Sequence, residues 1–266
     1  MPLAEVAGLH LRYQLQGPEN APVVALSNSL GTDLSMWEPQ AAVLSREFRV
    51  LRYDMRGQGE SSVLKGDAAI DIVAQDFIAL IDVLGLRQVS FCGLSMGGMI
   101  GMWLGIHAHD RLNALVLCNT AARIGTKEMW NARIARVREG GMRSVSESVI
   151  QRWFTPEFRV GHPQTVEAAR NMLEASPVEG YVSCCTAIRD MDQADAISKI
   201  RARTLVVGGT MDAVTPPNDA RFLVDRISGS RLVELNAAHL SNVERPEEFT
   251  SAVNDFLLTK RQTHGR

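Results

Sequence analysis

Phe91-Cys92-Gly93-Leu94-Ser95-Met96-Gly97-Gly98-Met99 sets a Gly-x-Ser-x-Gly run between a β-branched and aromatic segment, Val89 to Cys92, and an apolar, helix-compatible one, Met96 to Ala108. A strand that turns sharply into a helix forces the residue at the turn into a strained backbone conformation. Side chains at Gly93 and Gly97 would then collide with neighbouring backbone, and glycine removes the clash. The expected result is a nucleophile elbow. Ser95 is held out of the sheet, and the N–H of Met96 lies at a helix N-terminus, where a developing oxyanion is stabilised. The competing reading is a tight strand-to-helix turn with an incidental serine, and the flanking sequence has to choose between them.

Upstream, Leu9, Leu11, Tyr13 and Leu15 alternate with polar residues, and Gly17-Pro18-Glu19-Asn20 supplies turn chemistry before Pro22 to Leu26. The two segments are expected to form an antiparallel hairpin. The second runs into Ser27-Asn28-Ser29-Leu30-Gly31, a loop whose Leu30 N–H is a candidate second oxyanion donor. Phe48 to Tyr53 is a further short strand. It continues into a loop with Gly57 and Gly59, which lacks the third glycine, the lysine and the following helix of a phosphate-binding loop and is therefore not a nucleotide site.

Ile70, Val73, Ala74, Phe77, Ile81 and Leu84 recur at intervals of three and four, which predicts a helix ended by Gly85. Strands are expected at Gln88 to Cys92 and Leu112 to Cys118, with the Met96 helix buried between them. Such alternation predicts an α/β protein with a mostly parallel, doubly wound sheet covered on both faces. Beyond Asn119 the segment 124–187 is rich in charged and helix-forming residues and too long for a simple loop. It is read as a helical cap over the C-terminal edge of the sheet, inserted into a core formed by 1–123 and 188–266. The core resumes with a strand at Thr204 to Gly208, a helix at Pro217 to Ile227, a strand at Arg231 to Leu235 and a helix at Pro246 to Leu258, and Thr259 to Arg266 is expected to be a frayed polar tail.

Three polar residues thus follow strand ends: Ser95, Asp212 and His239. A serine hydroxyl needs a base within hydrogen-bond reach, and the base needs a buried carboxylate to fix its tautomer. His239 and Asp212 fit those roles. Asp190, Asp192 and Asp195 lie in or near the cap rather than directly after a strand. His107 and His109 sit at the end of a helix, where a cation favours the dipole, and His10, His162 and His264 have no supporting context.

Composition bounds the function. The 266 residues carry a formal net charge of −2, with 45% hydrophobic and 22% charged residues, which gives no electrostatic reason to expect nucleic acid or a membrane surface. The N-terminal residues lack the pattern of a signal peptide, and no segment approaches the length of a membrane span. Four cysteines, two of them adjacent, fit a cytoplasmic protein without disulfides, and neither Cys-x-x-Cys nor His-x-x-x-His occurs, so no metal is expected.

With these residues in hand, the chain resembles the α/β-hydrolase superfamily along nearly its whole length. The order Ser95, Asp212, His239 is that superfamily's order. More narrowly it resembles the 3-oxoadipate enol-lactonase family through Leu26 to Asp33, Val50 to Asp54, Phe91 to Gly98, Leu117 to Ala122, Arg152-Trp153-Phe154-Thr155-Pro156 and Ala237 to Glu244. Asn28-Ser29, where most α/β-hydrolases have His-Gly, and the cap stretch from Arg152 are the more specific features.

The resemblance implies attack by Ser95 on a lactone carbonyl, with His239 as base, Leu30 and Met96 as oxyanion donors, and no cofactor. The implied partner is a small enol-lactone. Its carboxylate, in a mostly apolar pocket, needs a cationic or polar partner. Trp130 and Arg133, three apart on one helical face, are candidates for substrate binding together with Trp153; the alternative for Arg133 and Arg136 is a solvated face. Ser95 excludes dehalogenase and epoxide hydrolase chemistry, which needs a carboxylate nucleophile. A general carboxylesterase, a C–C bond hydrolase, a cofactor-free haloperoxidase and a lactone-binding receptor stay open.

Overall fold

The computed structural model describes residues 2–64 and 66–259. The expected frayed tail lies, apart from Thr259, outside the described residues. The strands are β1 (Leu3–Val6), β2 (Leu9–Gln16), β3 (Val23–Ser27), β4 (Arg49–Tyr53), β5 (Val89–Leu94), β6 (Leu112–Cys118), β7 (Thr204–Gly209) and β8 (Arg231–Leu235). They form one sheet in the order β1-β2-β4-β3-β5-β6-β7-β8. All pairings from β4 to β8 are parallel; β1 with β2 and β2 with β4 are antiparallel.

An N-terminal hairpin is present, but not between the expected partners. β2 pairs with β1 through a two-residue turn at Ala7 and Gly8, both at positive φ, as a type I′ turn requires. The other side of β2 meets β4, and β3 lies one strand further in. Burial explains the difference. Val24, Ala25, Leu26, Val50 and Leu51 are wholly buried, so β3 and β4 belong in the two-sided interior, whereas β2 is half-buried over much of its length and lies outside them. Gly17-Pro18-Glu19-Asn20 therefore starts a connection past β4 rather than closing a hairpin.

Helices α1 (Glu38–Leu44), α2 (Ile70–Val83) and α3 (Met96–His107) connect the strands up to β6. Between β6 and β7 the chain forms α4 (Lys127–Gly140), α5 (Arg143–Trp153), α6 (Pro156–Gly161), α7 (Pro163–Glu174) and α8 (Val178–Asp190). The remaining helices are α9 (Pro217–Arg226), α10 (Ser241–Glu244) and α11 (Pro246–Leu258). α3 is buried almost all round, which explains its apolar character on every face.

Strand order reverses at β3, because the chain goes from β3 outward to β4 and then returns to the other side as β5. In open α/β sheets a crevice forms outside the carboxyl ends of the strands at such a reversal. The pairing of Ser27 with Gly93 brings the loop after β3 and the turn after β5 side by side there. Helices α4 to α8 cover this end: α8 meets the loop after β4 at Gly57 and Gly180, and Leu240 donates its N–H to the Trp153 carbonyl at 3.0 Å. Among the described residues no helix is long and apolar enough to cross a membrane, and no cluster of His, Cys, Asp or Glu could hold a metal ion.

Candidate active site

The strand-to-helix turn has the geometry its glycines imply. Ser95 lies between β5 and α3 at φ 55°, ψ −112°. A Cβ on Gly93 would come within 2.1 Å of the Gly97 carbonyl oxygen, and one on Gly97 within 2.3 Å of the Ser27 carbonyl oxygen. The unusual conformation of Ser95 is held from both sides. Its N–H donates to the Cys118 carbonyl at 2.9 Å, and its own carbonyl accepts the Thr120 hydroxyl at 2.7 Å. A non-glycine residue in this region costs about 1–3 kcal/mol and persists only where its surroundings impose it.

Beside the turn, the Gly97 N–H donates to the Asn28 carbonyl at 3.0 Å, and the buried Asn28 amide donates to the Tyr53 carbonyl at 3.0 Å. These bonds fix the loop after β3 against the start of α3. The N–H groups of Leu30 and Met96 have no protein acceptor among the described residues, which leaves both available at the site. Asn28 thus acts through its backbone and side chain to hold Leu30 in place.

Asp212 follows β7 and is almost fully buried. Its Oδ1 accepts the N–H groups of Val214 and Thr215 at 2.7 and 3.0 Å. Oδ2 accepts the Thr215 hydroxyl at 2.7 Å, the Asn119 amide at 3.0 Å and His239 Nδ1 at 2.8 Å. Burial pushes this carboxyl up, but the His239 charge and the hydrogen bonds from His239, Asn119 and Thr215 together outweigh it and hold it at about 2. It is therefore ionised at neutral pH and fixes the histidine tautomer, with Nδ1 donating.

Asn119, at φ 43°, also donates to the Ala238 carbonyl at 3.1 Å and accepts the Ser241 hydroxyl at 2.5 Å. One amide thus ties the aspartate to the histidine loop. Sequence reasoning missed it, since an asparagine after a strand reads as an ordinary turn residue.

Ser95 and His239 line one cavity with Ser29, Leu30, Trp130, Arg133, Arg152 and Trp153. Among the described residues the Ser95 hydroxyl has no hydrogen-bond partner, and such contacts commonly tighten only when substrate is present. Trp130 donates its indole N–H to the Ile124 carbonyl at 2.8 Å, so its ring is locked. The Arg133 guanidinium hydrogen-bonds to the Tyr181 hydroxyl and stands 5.4 Å from the Trp130 ring and 5.5 Å from the Tyr181 ring. Arg136 lies outside this cavity and is exposed.

Arg152 enters the same cavity from α5 and was not among the expected substrate contacts. Burial, then the neighbouring Arg133 charge, lowers it below the ordinary arginine value. Among the described residues neither arginine pairs with a carboxylate. Two guanidiniums in an otherwise mostly apolar pocket make a site for an anion.

The pattern of the alpha/beta hydrolase fold matches residues 22–246, which takes in the elbow, Asp212 and His239. The chain belongs to the α/β-hydrolase family. This hydrolase is 42% identical over 243 residues to 3-oxoadipate enol-lactonase 2 of Acinetobacter baylyi, covering 91% of each chain. It is 36% identical over 250 residues to 3-oxoadipate enol-lactonase 1 of the same organism, covering 94% of each. The crystal structure of the enol-lactonase from Burkholderia xenovorans LB400 superimposes with a TM-score of 0.96 at 44% identity, over 97% of this chain and 100% of that one.

Proposed function

We propose that this α/β-hydrolase opens 3-oxoadipate enol-lactone to 3-oxoadipate through an acyl-enzyme on Ser95. One observation carries the reading: the cavity that joins Ser95 and His239 also holds Arg133 and Arg152, two guanidiniums that pair with no carboxylate among the described residues. A neutral ester gives those charges nothing to bind, whereas an enol-lactone with a carboxylate side chain does. The names of the relatives support the same substrate class.

In this mechanism Ser95 Oγ attacks the lactone carbonyl while His239 Nε2 takes its proton, and Asp212 stabilises the imidazolium. The tetrahedral oxyanion lies on the N–H groups of Leu30 and Met96; each such donor contributes about 2.7–4 kcal/mol of barrier lowering. Collapse breaks the ring C–O bond, and the imidazolium returns the proton to the departing enol oxygen. The enol then tautomerises to the ketone. Water gives its proton to His239, attacks the acyl carbon and releases the second carboxylate, with Ser95 reprotonated. Every group in this sequence belongs to the chain or is water, and no cofactor is invoked. Free, buried thiols at Cys92, Cys118, Cys184 and Cys185 support a reducing, cytoplasmic setting.

The test is the loss of enol-lactone absorbance with wild type and Ser95→Ala. Wild type is expected to turn over the lactone and Ser95→Ala to lose nearly all of that rate; equal rates would overturn the assignment of the nucleophile.

A further inference from the structure

Trp153, the last residue of α5, is 4% exposed yet lines two cavities at once. On one side is the catalytic cavity that holds Ser95 and His239. On the other is a larger space of about 230 Å³ between α7 and the core, bounded by Met36, Ala169, Met172, Leu240 and Val243. Its lining is predominantly apolar and contains no charged side chain. Leu240 follows His239, so this second space lies directly behind the histidine loop. The Trp153 carbonyl accepts the Leu240 N–H at 3.0 Å, which fixes the backbone carrying the ring beside His239.

We infer that Trp153 is the specificity-determining partition of this enzyme: its ring confines the acyl group to the small cavity under Arg133 and Arg152 and shuts it out of the apolar space behind. A short acyl group ending in a carboxylate stays on the arginine side. A longer unbranched chain is excluded there, although Trp153 also borders the larger apolar space. The inference rests on the proposed role of Ser95 as nucleophile but not on the identity of the lactone.

Truncating the ring joins the two spaces. Each methylene transferred from water into an apolar space corresponds to roughly a fourfold gain in kcat/KM. The test is kcat/KM for nitrophenyl acetate, butyrate, hexanoate and octanoate with wild type, Trp153→Ala, Trp153→Leu, Trp153→Phe, Ala169→Phe, and Trp153→Ala combined with Ala169→Phe. Wild type and Trp153→Phe are expected to favour the short esters. The hexanoate-to-acetate ratio is expected to rise at least roughly tenfold in Trp153→Ala, less in Trp153→Leu, and to fall back when Ala169→Phe refills the second space. Ala169→Phe alone is expected to leave acetate hydrolysis unchanged. A ratio within about twofold of wild type in a folded Trp153→Ala or Trp153→Leu enzyme overturns the inference, as does a gain that survives Ala169→Phe. If the ester profile switches while wild type ignores enol-lactone, the substrate assignment fails and the partition stands.

Discussion

Glu244 ties the turn after α5 to the loop that carries His239: one carboxyl oxygen accepts the Ala238 N–H at 2.9 Å, and the other accepts the hydroxyl of Thr155, two residues beyond Trp153. Glu244 is buried and has no cationic partner among the described residues, so these donors are what satisfies its carboxyl oxygens. Glu244→Gln replaces one carboxyl oxygen with an NH2 group, so the Ala238 N–H and the Thr155 hydroxyl no longer each have an oxygen to donate to. The expected loss is about 1.5–3 kcal/mol of stability, the scale of a hydrogen bond to a charged group, read as a lower denaturant midpoint. An unchanged midpoint would show that the strut contributes nothing.

Arg133→Ala and Arg152→Ala should each raise KM for the charged lactone by roughly 10- to 100-fold, the equivalent of losing one charge-assisted bond, with neutral esters changed by less than about twofold. Steady-state kinetics on both substrate types checks this. Equal losses on the two types would place the arginines in the framework of the cap rather than on the substrate.

Ser95 keeps φ at 55° with no hydrogen bond from its side chain among the described residues, so the strain serves its placement and not the stability of the fold. Ser95→Gly should abolish hydrolysis and raise the melting temperature by a few degrees, because glycine adopts this conformation without steric cost. Calorimetry reads the shift; a lower melting temperature contradicts the strain argument.

The Asp212 carboxyl falls from its ordinary value of 3.8 to about 2 in the folded protein. A depressed acid adds stability that is present above the unfolded value and lost as pH falls through the folded one. The stability advantage of wild type over Asp212→Asn should therefore shrink as pH falls from about 4 to about 2. Urea midpoints across that range measure it, and a constant difference down to pH 2 would contradict the ionised, bonded carboxylate.

The elbow, Asp212 and His239 were legible in the sequence because each is tied to a strand end, and because glycines at 93 and 97 are demanded by backbone packing within 2.3 Å. Trp130 and Arg133 could be read together because three-residue spacing on one helix places them side by side. Arg152 could not, since it reaches the same cavity from a different helix and only the packing of α4 on α5 and α8 brings the two guanidiniums together. The partner of β2 was misread for a similar reason: proximity along the chain favoured β3, while burial on both faces reserves the inner positions for β3 and β4. The links from Asn119 to Ala238 and Ser241 span 119 and 122 residues, beyond the reach of any local pattern.

Selection of a carboxylate-bearing enol-lactone by the cavity is read from kcat/KM for that lactone beside nitrophenyl acetate. Lactone opening by the wild-type enzyme is expected to exceed ester hydrolysis by orders of magnitude, and the preference to shrink sharply in the Arg133→Ala, Arg152→Ala double variant. Brisk ester hydrolysis without measurable lactone opening would contradict it and leave only a serine hydrolase of this family.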